Sequence, residues 1–245
     1  QMIAASEIVE SGAGVLFIVK NYSGDIMNFQ MASEMMTGAS ETVLTNDDVA
    51  VEDSSFTTGR RGVAATVIVE KIVGSFAETG GNLKECKILG DKVNRNSGSM
   101  GVAFSSCTVP AAGKPTFKLG SDEMEFGVGI HGEPGRRRDK VQPAQEITNE
   151  LLGAIIEDLK PEDNDEILLF VNGMGGTPLT ELYLLYHNAK KTLDNKNILV
   201  SRSLVGNYCT SLEMQGASIT LTKLDKELKK YWDSPVHTAA MRWGL

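Results

Sequence analysis

Short apolar runs alternate with longer stretches of helical periodicity along the 245-residue chain. "MIAASEIVE" predicts a helix over 2–10 that stops at the turn "SGAG" (11–14). The continuous apolar run "VLFIV" (15–19) has the character of a strand buried in a parallel sheet. The loop "NYSGD" (21–25) leads into a helix over about 26–37, and "ETVL" (41–44) predicts a second strand. "NDDVAVEDS" (46–54) reads as an acidic, solvated loop. "GVAATVIVEKIVGSFAETGG" (62–81) is an apolar helix stopped by glycines, and 83–94 a further helix.

"NSGSMG" (96–101) reads as a joint, dividing the chain into domains over 1–96 and 97–245. In "EMEFGVGI" (123–130), Met124, Phe126, Val128 and Ile130 alternate with Glu123, Glu125, Gly127 and Gly129, the pattern of a half-buried strand. Ile147, Leu151, Leu152, Ile155, Ile156 and Leu159 share one face of a helix over 142–159. "EILLFV" (166–171) is a buried strand and "NGMGGTP" (172–178) a glycine loop. Thr177 is placed to cap a helix over 178–191, with Pro178 at its first position. "ILVSRSLVG" (198–206) and "SITLTKL" (218–224) complete the strands. Strands alternating with helices predict an α/β fold, in two domains with mixed sheets flanked by helices.

A hydrophobic content of 41% is enough for one large core or two small ones. The formal net charge of −8 repels phosphate backbones and anionic lipid, which excludes nucleic acid and membrane as partners. No apolar run approaches the roughly 20 residues a membrane helix needs, and the start has no signal-peptide pattern. Cys86, Cys107 and Cys209 are too few and too scattered for a disulfide framework or a zinc site, and suit a reducing cytoplasm. The chain opens on Gln1, without Met and already inside a helical pattern, so a missing N-terminal piece is expected and the first domain is expected to be incomplete.

Four stretches could carry chemistry. Lys20 and Asp25 lie on the loop leaving a strand's carboxyl end, where α/β sheets bind ligands; Asp25 could equally cap the next helix. "NGMGGTP" resembles a phosphate loop, but it has no Gly-Lys-Ser/Thr and puts Pro178 where a third glycine belongs, so a tight strand-to-helix turn is favoured. In "GVGIHGEPG" (127–135), His131 sits between glycines straight after a strand and is followed by Glu133 and Pro134. Gly129 and Gly132 would clear space for a ligand at a ring that can act as a nucleophile or proton carrier near neutral pH. His187, inside a helix, and His237, in the tail, have no such setting, and no His/Cys/Asp spacing suggests a metal. Arg60 and Arg61 in "TTGRRGVA" (57–64) are expected to be solvated, although the pair could bind phosphate or a partner's carboxylates.

Taken in order, "KNYSGD" (20–25), "GRRGVA" (59–64), "CTVPAAGKP" (107–115), "EMEFGVGIHGEPG" (123–135), "GGTPLTELY" (175–183), "NYCTSLEM" (207–214) and "WDSPVHTAAMRWG" (232–244) resemble the dihydroxyacetone kinase K-subunit family. The resemblance runs through nearly the whole chain. It implies that His131 forms a covalent hemiaminal with the substrate carbonyl, that Asp25 is the general base on the hydroxyl that receives phosphate, and that Lys20 helps bind the substrate. Such a site takes dihydroxyacetone and rejects glycerol, which has no carbonyl. The family also carries a glycine-rich segment near its N-terminus, with a second acid/base histidine, that has no counterpart here, and a slightly longer stretch between the positions of Asp25 and Asn46.

The chain has no P-loop, no protein-kinase motif set and no evident carboxylate cluster for Mg²⁺, so its phosphoryl donor must be borrowed. The family's ATP-dependent type fuses a nucleotide-binding domain after this one, whereas this chain stops at "MRWGL". The resemblance therefore implies the phosphoenolpyruvate-dependent phosphotransferase-system type. This chain would carry no cofactor, a separate L subunit would hold ADP and Mg²⁺, a phosphocarrier M subunit would recharge it, and the K subunit would be a homodimer. A second reading, taken from relatives that keep the histidine, is a dihydroxyacetone-sensing co-regulator that binds a transcription factor. Retention of "NYSGD" and "TVPAAGKP" favours the enzyme. A third reading is an α/β binding module without chemistry.

Overall fold

The computed structural model describes residues 1–51, 59–133, 135–163 and 165–244. The chain divides into two compact units: Gln1–Asp47, Asp53–Arg95 and Lys226–Leu245 form the first, and Asp48–Glu52 with Asn96–Asp225 the second.

In the first unit, β1 (Val15–Lys20) and β2 (Ser40–Thr45) pair in parallel, in register from Val15 opposite Ser40 to Lys20 opposite Thr45. Helices α1 (Met2–Val9), α2 (Ser23–Met35), α3 (Ala65–Glu78) and α4 (Leu83–Arg95) surround the pair. Burial along β1 alternates: Val15, Phe17 and Val19 are buried, while Leu16 and Ile18 are half-buried. Phe29 of α2 closes on this face, its ring edge-on to Phe17 at 5.5 Å. The last twenty residues, which a boundary at 96/97 assigns to the second domain, group with the first unit instead. The reason lies on α3. Helix α7 (Lys226–Trp232) sets Tyr231 against Phe76 at 5.2 Å, and the hairpin β9 (Val236–His237) and β10 (Arg242–Trp243) sets Trp243 against Trp232 at 5.3 Å. Lys71 of α3 is buried among them and donates to the carbonyl oxygens of Ser234 (2.7 Å) and Tyr231 (3.3 Å). Burial lowers its pKa, with Asp233 opposing the shift.

The second unit is built on a mixed sheet of strand order β5-β4-β3-β8-β6-β7 among the described residues. Its strands are β3 (Ser97–Ala103), β4 (Glu123–Phe126), β5 (Arg137–Lys140), β6 (Glu166–Gly173), β7 (Leu199–Gly206) and β8 (Gly216–Leu224). Only β6 and β7 run parallel; the other neighbours are antiparallel. Helices α5 (Ala144–Leu159) and α6 (Leu179–Asn195) cover one face. Ile147, Leu151, Leu152 and Ile155 of α5 and Leu182, Leu185, Ala189 and Leu193 of α6 meet Ile167, Leu169 and Val171 of β6 and Ile219 and Leu221 of β8.

The units change over at Arg95 and Asn96, beside the expected joint, but the stretch 96–101 is not a linker. Residues 97–103 form β3, a central strand buried at every position. Its small side chains are a packing requirement. Ser97 and Ser99 pair by hydroxyl hydrogen bonds with Thr222 (2.8 Å) and Thr220 (2.7 Å) of β8. A Cβ at Gly98 would press on Leu159, Ile155 and Val49 at 3.2–3.3 Å. Among the described residues no helix is long and apolar enough to cross a membrane.

Candidate functional site

Lys20 and Asp25 lie together in the first unit. Lys20 is the last residue of β1 and is half-buried. Buried Asn21 extends the β1–β2 ladder by donating its N–H to the Thr45 carbonyl (2.9 Å), and its Nδ2 donates to the Arg60 carbonyl (2.7 Å). This ties "GRRG" to the end of the strand. The Tyr22 N–H turns back to the Lys20 carbonyl at 2.8 Å, and α2 starts at Ser23. Asp25 is therefore the third residue of the helix and half-buried. The N-cap is Tyr22, in extended conformation, and no side chain caps the helix. The capping reading of Asp25 is thereby corrected. Its carboxylate sits in the first turn, where backbone N–H groups carry partial positive charge. Glu70 of α3 senses the charge of Lys20: the surrounding protein raises the Glu70 pKa and Lys20 opposes the rise, while the residue's open surface screens both effects.

Two further expectations change here. Asp47 and Asp48 of the acidic stretch are buried, not solvated. Asp47 accepts the Val63 and Ala65 N–H groups, both at 2.9 Å, and so caps α3, whose own N-cap residue Ala64 has no side-chain oxygen. Asp48 accepts the Ala50 N–H (2.9 Å). Residues 52–54 of that stretch, with Thr57 and Thr58, lie outside the described residues. Arg61 is fully buried, so the two arginines are not a solvated pair. Asp47→Ala leaves two buried N–H groups without their acceptor and is expected to cost about 2 kcal/mol of stability, read as a lower urea midpoint at unchanged slope.

His131 lies in the second unit. The strand predicted over 123–130 ends at Phe126: Gly127 makes one more bond to β3, its N–H donating to the Gly101 carbonyl, and its φ of +73° then turns the chain. The alternation nevertheless continues. Val128 remains buried, packed with Ala103, Cys107, Met174 and Met214 under the loop. The loop closes on itself through Gly129 N–H to the Glu133 carbonyl (3.2 Å) and Gly132 N–H to the Gly129 carbonyl (3.1 Å). Just over half of the His131 side-chain surface is exposed (53%), whereas the Glu133 side chain is 7% exposed. One Glu133 oxygen, Oε1, is 3.2 Å from His131 Nδ1, and the other, Oε2, accepts the His131 backbone N–H at 3.1 Å. Pro134 lies outside the described residues. The space beside Gly132, at φ +76°, is not left for a ligand: a Cβ there would run into the Thr116 hydroxyl and come within 3.4 Å of Cys107 Sγ.

The segments around this loop hold each other in place. The Thr116 N–H donates to the Cys107 carbonyl (3.1 Å), and the Thr108 N–H donates to Glu213 Oε1 (2.8 Å). Fully buried Asn172, at the end of β6, went unnoticed in the sequence. Its Oδ1 accepts the N–H groups of Tyr208 (3.0 Å) and Cys209 (2.9 Å), and its Nδ2 donates to the Cys209 carbonyl (2.8 Å). An Asn closing an otherwise apolar strand was the available signal. "NGMGGTP" is a tight turn. A Cβ on Gly175, at φ +120°, would overlap the Leu212 carbonyl, so its bareness admits backbone. Thr177 does not cap α6: its hydroxyl donates to the Gly216 carbonyl (2.7 Å) and accepts the Gly216 N–H (2.8 Å), and the N-cap residue is Pro178. His187 and His237 are exposed. Among the described residues no group of three or more His, Cys, Asp or Glu side chains could hold a metal ion, and Cys86, Cys107 and Cys209 are buried free thiols.

Comparison with known proteins covers nearly all of the chain. The Dak1 domain family matches residues 1–240. A PTS-dependent dihydroxyacetone kinase dihydroxyacetone-binding subunit DhaK of Listeria innocua is 48% identical over 230 residues, covering 93% of this chain and 70% of the relative. The PEP-dependent DhaK subunit of Escherichia coli is 43% identical over 263 residues, covering 96% and 74%. Among solved structures, the dihydroxyacetone kinase operon co-activator Dha-DhaQ superposes with a TM-score of 0.89 at 32% identity, covering 96% of this chain and 74% of that one.

Proposed function

Since the chain belongs to the Dak1 family, that of the dihydroxyacetone-binding subunits of dihydroxyacetone kinases, we propose that it is the dihydroxyacetone-binding subunit of a phosphoenolpyruvate-dependent phosphotransferase. The observation that carries this reading is a half-exposed histidine ring on a braced loop, at the position the family's motif assigns to the covalent residue. His131 adds to the carbonyl carbon and holds the ligand as a hemiaminal. A ligand without a carbonyl gains no such bond, which separates dihydroxyacetone from glycerol. Lys20 contacts the bound ligand, and Asp25 takes the proton from the hydroxyl that receives phosphate. The phosphoryl group comes from an L subunit that carries ADP and Mg²⁺ and is recharged by an M subunit. The family's homodimer and a cytoplasmic location belong to the same reading.

Purified protein with ATP, Mg²⁺ and dihydroxyacetone is expected to give no dihydroxyacetone phosphate until the L and M subunits and phosphoenolpyruvate are added. Turnover with ATP alone would show that the donor has been misassigned. The likeness to an operon co-activator structure favours a second reading, a ligand sensor that binds a transcription regulator. The same assay separates the two, because a sensor stays inactive with every partner subunit present.

A further inference from the structure

We propose that Glu133 is a positioning residue for His131, holding its ring in the tautomer that puts the lone pair on Nε2, the nitrogen that attacks a carbonyl. The role rests on the covalent function assigned to His131 above. The geometry is that of a pincer. A single carboxylate, more than nine-tenths buried, spends one oxygen on the main-chain N–H of His131 (3.1 Å) and the other on Nδ1 of the same residue (3.2 Å). The two contacts fix the ring relative to its own backbone. An ionised carboxylate only accepts hydrogen bonds, so a neutral ring opposite it must carry its proton on Nδ1. The lone pair is then on Nε2. Free histidine prefers the opposite arrangement, with the proton on Nε2 and no nucleophile there, so the protein has to reverse that preference, and Glu133 supplies the means.

The same carboxylate suits the charge that develops. Attack forms one bond, from Nε2 to the carbonyl carbon, and breaks the carbonyl π bond, whose electron pair goes to oxygen. That oxygen takes a proton from water, and the ring is left as an imidazolium with Nδ1–H facing Glu133. The adduct ring keeps its Nδ1–H and stays cationic beside the Glu133 carboxylate, so the net change is addition of the imidazole nitrogen and one solvent proton across C=O, the hydroxide left behind going to bulk water. The buried negative charge favours the cationic adduct through a charge-assisted hydrogen bond.

Glu133→Gln tests this with little change of shape. A glutamine whose oxygen keeps the backbone N–H turns its NH₂ toward Nδ1, which must then accept, and the ring proton moves to Nε2. In nitrogen-15-labelled protein the His131 ring signals, assigned by their loss in His131→Ala, report the tautomer. Dihydroxyacetone labelled with carbon-13 at its carbonyl reports the adduct. The unaltered protein is expected to show the Nδ1–H form. Glu133→Gln is expected to show the Nε2–H form, with the adduct constant lowered about tenfold or more and circular dichroism unchanged. Glu133→Ala, which asks nothing of the pocket, provides a second variant and should also revert to Nε2–H. Retention of the Nδ1–H form and of a full adduct in either folded variant would overturn the proposal. If the unaltered protein forms no adduct at all, the covalent reading of His131 fails, and the tautomer comparison still decides the role of Glu133.

Discussion

Asp25→Asn is expected to lower phosphoryl transfer by about 10²–10⁴-fold, the range for loss of a general base, with the covalent adduct still forming. The structure makes this a clean experiment. Asp25 supplies no cap to α2, which starts from Tyr22 without a side-chain acceptor, and it is only half-buried. Replacing its carboxylate by an amide removes a favourable first-turn charge worth about 0.3–1 kcal/mol, too little to unfold a domain. A large loss of rate with a small loss of stability therefore points to chemistry. The measurement pairs a turnover assay in the presence of the L and M subunits with urea denaturation of the variant alone. Near-normal turnover would reduce Asp25 to an ordinary helix-start residue.

His131→Ala should fail differently. The adduct signal of labelled dihydroxyacetone is expected to vanish, and discrimination against glycerol to weaken, because the carbonyl no longer contributes a bond. Some phosphoryl transfer should survive, since Asp25 and the donor subunit remain. The fold has little at stake at this position. The ring is half-exposed, and the apolar cluster beneath the loop is formed by Val128 and its neighbours. Covalent ligand persisting in His131→Ala would place the attachment on another residue. Full glycerol discrimination without an adduct would mean that selectivity comes from shape rather than from bond formation.

Most of the elements were legible because their periodicity was strong, as in α5 and α6 with their apolar faces and β6 with its apolar run. The failures share one cause: side chains whose partners are distant in sequence. "NSGSMG" looks like a linker until Thr220 and Thr222 supply the hydroxyls that pair with its serines. Asp47 reads as solvated until the chain brings back the N–H groups of Val63 and Ala65. Thr177 reads as a cap until Gly216 takes both of its hydrogen bonds. At the candidate site, Lys20 and Asp25 stand where a strand-end rule would look, beside the carboxyl end of β1. The glycines around His131 were noticed, but what fills the space beside Gly132 was not, because Thr116 is far from it along the chain.

The return of α7 and the terminal hairpin to α3 has a consequence for how the protein is made. The second unit's long segment, Asn96–Asp225, interrupts the first, so the first cannot be completed on the ribosome before the second has been synthesised. Domains usually fold in order of emergence. Here the order is inverted: β6 and β8 can pair while Phe76 and Lys71 of α3 still wait for Tyr231 and Trp243. Ribosome-bound chains that have not yet exposed α7 thus carry one finished unit and one with an open apolar helix, and it is that helix which nascent-chain chaperones would meet.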